Sequence, residues 1–122
     1  MQLFPSPKAS NKDALIGAVG AAISMAITWL VCDALLDSVS PILALSMGAS
    51  AVILFTMPNA PAAQPVPLIL AHCTAAFWGV LSVQLIDNTA LAVGIAVGIH
   101  AGLMVRIGYM HPPSGGTALT AV

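Results

Sequence analysis

Seven consecutive residues, His111-Pro112-Pro113-Ser114-Gly115-Gly116-Thr117, concentrate the chain's capacity for chemistry directly after a long apolar run that ends in Arg106 and Ile107. Pro112 and Pro113 lack backbone N–H groups and restrict the residues before them, which suits the start of a helix. Ser114, Gly115, Gly116 and Thr117 then offer consecutive free amides at that start. Free amides and the helix dipole both attract negative charge, and glycine lets a ligand approach the backbone closely. His111 adds a switchable positive charge and Arg106 a permanent one. The chemistry so offered is the binding of a small anion. A plainer alternative is that the prolines and glycines only turn the chain into another helix, with Arg106 reaching for lipid headgroups.

The elements that must hold these residues follow from composition. The chain is 59% hydrophobic and 6% charged, with a mean hydropathy of +1.01, whereas a soluble domain carries about a quarter charged residues. Three Lys/Arg and four acidic residues, all of them Asp, cannot clothe a soluble exterior of 122 residues. The expected class is an all-α integral membrane protein, a single transmembrane domain surrounded by the lipid bilayer. Neither a nucleic-acid partner nor a cofactor or metal is expected. Cys32 and Cys73 lack metal-type or redox-type spacing and read as small hydrophobes.

Four apolar segments, at about 14–31, 41–57, 66–86 and 89–107, are each near the ~20 residues that cross the hydrocarbon as a helix. The second is the shortest. Between them stand the polar stretch from Asp33 to Ser40, the run Pro58-Asn59-Ala60-Pro61-Ala62-Ala63-Gln64-Pro65 and the tight pair Asp87-Asn88. The first segment is longer than a signal core, and Trp29-Leu30-Val31-Cys32 lacks the small residue that precedes a lipid-modified cysteine, so it reads as a retained span. A cytoplasmic N-terminus places Lys8, Lys12 and Arg106 all inside, together with Asp13, and leaves Asp33, Asp37 and Asp87 outside.

Small residues repeat along these segments. Gly94, Gly98 and Gly102 recur every fourth position with Arg106 continuing the row, and such rows let helix backbones approach in lipid. Gly17, Ala21, Ser24 and Thr28 form a second row, and His72, Ala75, Gly79 and Ser82 a third. His72 is thereby expected to face the bundle. His100 lies well around its helix from Gly98 and is expected to touch another helix or subunit. Gly48-Ala49-Ser50-Ala51 echoes Gly115-Gly116-Thr117-Ala118, and the topology makes the two run in opposite directions. Inverted segments meeting inside the membrane are a transporter design, although an Ala-rich chain also produces such echoes by chance.

His111-Pro112-Pro113-Ser114-Gly115-Gly116-Thr117-Ala118-Leu119 resembles the signature of the HPP family of integral membrane proteins. A second block agrees: Met47-Gly48-Ala49-Ser50-Ala51-Val52-Ile53-Leu54-Phe55, then Pro58, Ala62-Ala63-Gln64-Pro65, and His72 in the following span. Ser114 and Gly116 stand where family members often carry Gly and Ala. The resemblance implies a transporter of four or more spans, with plant plastid members linked to nitrite and some bacterial members fused to soluble regulatory domains. Nine residues follow Pro113, so the segment 111–122 is expected to be a half-helix held within an oligomer or a fifth span cut short.

The expected function is transport of a small anion, nitrite on the strength of the resemblance, at a site made by His111, Ser114, Gly115, Gly116 and Thr117. Arg106, His72, Gly48 and Ser50 are expected to contribute to it. The competing expectation is a non-transporting scaffold that works through its glycine rows. No carboxylate pair, metal-binding His motif or Ser–His spacing points to an enzyme. Four short helices hardly enclose a polar path alone, so a homo-oligomer is expected.

Overall fold

Each helix begins or ends on a residue suited to the place. In a computed structural model that describes residues 10–36 and 41–122, helix α1 (Asn11–Leu35) starts behind Ser10, whose Oγ accepts from the Asp13 amide at 3.1 Å and donates to Asp13 Oδ2 at 2.7 Å. Helix α2 (Pro41–Thr56) leads through a short 3-10 turn (Pro61–Ala63) into α3 (Pro65–Leu85). Proline at the first position of α3 removes a donor that would have no partner there. Helix α4 (Thr89–Ile107) is capped by Asn88, whose side chain accepts from the Leu91 amide at 2.9 Å. It stops at Gly108, which turns left-handed at φ 75°. The chain then re-enters the bundle as α5 (Ser114–Thr120). Lys8 and Asp37 lie outside the described residues, as do the side chains of residues 41 and 42.

This is the all-α membrane bundle that the composition implied, with no strand among the described residues. Helices α1, α3 and α4 are long and apolar enough to cross a membrane, while α2 is a shorter apolar helix. The 16 residues of α2 rise about 24 Å, less than the ~30 Å hydrocarbon, and the seven of α5 about 10 Å. The helical segment Ser114–Thr120 packs against α2, α3 and α4. Large apolar side chains such as Leu15, Ile23, Leu35, Leu45, Leu85 and Val105 face outward, as they do where the surrounding solvent is lipid.

Small residues bring the backbones together. Gly17 on α1 sits against the Phe55 carbonyl of α2, where an added Cβ would lie 3.1 Å away. On α3 the buried row is Ala71, Ala75, Gly79 and Ser82, with His72 half-buried beside it. At Gly79 a Cβ would come within 2.6 Å of the Ala118 carbonyl, so α5 lies almost on the α3 backbone.

The row on α4 differs from the expectation. A Cβ added at Gly94, Gly98 or Gly102 meets nothing within 4 Å. The side of α4 that packs is Ala92, Ala96, His100 and Met104. Both rows repeat every fourth residue and both contain small residues, glycines in one and Ala92 and Ala96 in the other. What decides between them is His100, whose polar ring is satisfied only inside the bundle.

Candidate functional site

Four helices and one loop bring three histidines and five hydroxyls to one level. His72 lies seven residues into α3 and His100 seven residues before the end of α4, so both sit about 10 Å from the same end of the bundle. His111 arrives there because the chain turns at Gly108 and folds back beneath the loop before α3. His111 and Ser114 are the largest fully buried side chains, each 1% exposed.

The first branch of the site starts at His111. Its Nδ1 lies 2.6 Å from the Ala62 carbonyl, and a carbonyl only accepts, so this nitrogen carries hydrogen. Its Nε2 lies 2.9 Å from Ser50 Oγ, and the same hydroxyl is 3.1 Å from His72 Nε2. His72 Nδ1 lies 2.7 Å from Thr117 Oγ1, which is 3.1 Å from Ser46 Oγ. Ser46 donates to the Pro113 carbonyl at 2.7 Å. The rings of His72 and His111 are tilted at 58° with centroids 5.1 Å apart. The two hydroxyls of the sequence echo, Ser50 and Thr117, therefore occupy opposite nitrogens of one ring, that of His72.

A second branch runs through Ser114. Its hydroxyl donates to the His111 carbonyl at 2.6 Å and so must accept from His100 Nε2 at 2.7 Å. The other nitrogen of His100 faces Thr74 Oγ1 at 3.3 Å. Among the described residues no buried side-chain nitrogen or oxygen lacks a partner.

Two openings flank this set. One, of about 410 Å³, lies between α1, α2 and α3 and reaches Ser50, His72 and Cys73, with Ser24, Met25 and Thr28 across from them. The other, of about 270 Å³, lies between α4 and the fold-back and reaches His100, His111, Ser114 and Gly115. Every described Asp, Lys and Arg is exposed, so among the described residues no carboxylate side chain is buried with the histidines. Imidazole and hydroxyl donors without a carboxylate are a surrounding that suits a small anion better than a cation.

Several expected site residues take other roles. The amides of Ser114, Gly115 and Gly116 are not free: they bond the carbonyls of His111, Pro112 and Pro113 at 3.0–3.1 Å. Two prolines before the helix withhold donors but still present carbonyls, which capture the amides of Gly115 and Gly116, while the His111 carbonyl takes that of Ser114. Arg106 is exposed in the last turn of α4 and makes no hydrogen bond to the network. Gly48 faces Met25 of α1, whose Cε would lie 4.0 Å from an added Cβ. Gly115 faces the smaller opening, whereas Gly116 meets α2 so closely that an added Cβ would stand 2.9 Å from Ser46 Cβ.

His111, Ser114, Thr117, His72 and Ser50 do come together. Sequence reasoning missed Ser46 and the Ala62 carbonyl; it expected His100 to touch another helix, as it does at Thr74 and Ser114, but left it out of the site. Ser46 and Ser50 are one helical turn apart in an otherwise apolar helix, and that spacing is the signal that marks them.

A family model described as HPP, transmembrane region, matches residues 6–122. Two transmembrane proteins of Dictyostelium discoideum are similar to the chain. One is 41% identical over 91 residues, covering 71% of this chain and 32% of the relative. The other is 38% identical over 81 residues, covering 63% and 26%. The chain spans about a third of the first relative's length and about a quarter of the second's. No solved structure matches the chain.

Proposed function

Because this chain belongs to the HPP transmembrane family, we propose that it is a multi-pass transporter or channel for a small inorganic anion, with nitrite as the substrate. The observation that carries the proposal is the buried set His72, His111, Ser50, Thr117 and Ser46, built of imidazoles and hydroxyls, free of carboxylates and flanked by two openings. The anion site lies at these side chains rather than at the amides of α5. Nitrite itself rests on the family resemblance. The protein is not an enzyme in this reading: the histidines are engaged with hydroxyls and carbonyls that hold them in place. The bundle sits in the cell membrane with its N-terminus cytoplasmic, which puts Lys12 and Arg106 inside and the histidines in the inner half. Copies associate as a homo-oligomer.

Purified protein in liposomes is expected to pass nitrite faster than empty vesicles, and His111→Ala to slow it. Absence of flux from well-folded protein refutes the proposal. The open face at Gly94, Gly98 and Gly102 favours one rival, a scaffold that acts through helix association. In that case Gly98→Leu disrupts a complex while His111→Ala changes nothing measurable.

A further inference from the structure

The histidine network is short of hydrogen. Its main line runs from the Ala62 carbonyl through His111, Ser50, His72, Thr117 and Ser46 to the Pro113 carbonyl, six links in all. Each link needs one hydrogen between its two atoms. The two end carbonyls have none to give, and five neutral side chains, two imidazoles and three hydroxyls, supply one each. One link is therefore empty in the neutral chain, and the Ser46 carbonyl, 3.1 Å from Ser50 Oγ, competes for the same hydrogens.

We infer that this network binds one proton together with the anion, so that the two cross the membrane as a pair. The inference rests on the anion reading above. One added proton fills all six links. With His111 doubly protonated, His111 Nε2 donates to Ser50, Ser50 to His72, His72 Nδ1 to Thr117, Thr117 to Ser46 and Ser46 to the Pro113 carbonyl. The charge moves from His111 to His72 by one concerted step. The Nε2–H bond of His111 breaks as that proton forms a new O–H bond on Ser50, while the former Ser50 hydroxyl proton forms the Nε2–H bond of His72. No proton is lost and Ser50 ends neutral. Ser50, shared by both rings, is the positioning residue for this step.

Among the described residues the charge so created has no built-in counter-ion. Ser46 and Ser50 face it from α2, the Ala62 carbonyl from the loop, His72 from α3, and Ser114 and Thr117 from α5. His100 of α4 reaches it only through Ser114. Across the larger opening α1 presents Ser24, Met25 and Thr28, and Cys73 is the one further titratable group there. A neutral network carries no charge to hold an anion, and a protonated one carries one positive charge with every link filled. Each partner is thus the condition for binding the other.

The test uses the full chain in nanodiscs, in weakly buffered solution with a pH-indicating dye. Addition of sodium nitrite is expected to take up about one proton per nitrite bound, with binding counted by calorimetry. Sodium gluconate is expected to take up none. Ser50→Ala is expected to abolish the uptake and Ser50→Thr to keep it. Nitrite binding without proton uptake overturns the inference and leaves the anion reading standing. If nitrite does not bind, the anion reading fails first. In that second case ring ¹⁵N spectra of the unaltered chain decide on the proton: the two rings of His72 and His111 are expected to gain one proton between them, in one step. Two independent titrations of these rings overturn the inference.

Discussion

Adding a single methyl group to each of two adjacent glycines is expected to have opposite effects on stability. At Gly116 the new Cβ would stand 2.9 Å from Ser46 Cβ and 3.3 Å from its Oγ. Carbon atoms rest at about 3.5–4.0 Å, so α5 must withdraw from α2 by roughly 0.6–1 Å. Ser46 cannot turn away, because its Cβ is fixed to the helix backbone. That shift stretches the 3.1 Å Ser46–Thr117 link and the 2.7 Å bond to the Pro113 carbonyl toward the limit of hydrogen bonding. Overpacking of this kind costs about 1–3 kcal/mol, against which replacing a helical glycine returns up to about 1 kcal/mol. Gly116→Ala should therefore destabilise by up to about 2 kcal/mol. Gly115, one residue earlier, has nothing within 4 Å of an added Cβ, so Gly115→Ala should stabilise by about 0.5–1 kcal/mol. Reversible unfolding in mixed micelles measures both. Equal effects, or a Gly116→Ala chain more stable than Gly115→Ala, refute the packing of α5 on α2 described above.

Further substitutions probe separate parts of the site. Ser114→Ala removes the acceptor of His100 Nε2–H in a buried place and should destabilise by about 1–3 kcal/mol, read in the same micelles. Arg106→Gln, exposed and outside the network, should leave both stability and nitrite flux within error. Asn88→Ala removes the cap of α4 and should cost about 0.5–2 kcal/mol without altering nitrite affinity, seen by calorimetry on folded protein. Gly98→Leu should leave the single chain folded, because nothing stands within 4 Å, while lowering the oligomeric mass seen by light scattering.

Much of this architecture is legible in the residues. The limits of α4 and the break at Asp87-Asn88 follow from a run of apolar residues bounded by a capping Asn and an αL Gly. The row on α3 is readable because Ala75, Gly79 and Ser82 share a side with His72. Two features escaped for physical reasons. Spacing alone ranks the glycine row of α4 with the alanine row, and only the polarity of His100 separates them. The amides of α5 look free on paper because proline is read as a missing donor, while its carbonyl remains a full acceptor for an amide three residues on. The pairing of Ser46 with Thr117 joins positions 71 residues apart, and no local pattern specifies it.

The most direct measurement is nitrite uptake into liposomes under mildly alkaline conditions, where leakage of nitrous acid is small, comparing the native chain with His72→Ala and Arg106→Gln. The histidine network as the anion site predicts uptake above empty vesicles for the native and Arg106→Gln chains, and its loss for His72→Ala in protein that still folds. Equal uptake by the native and His72→Ala chains, or none from any folded chain, contradicts it.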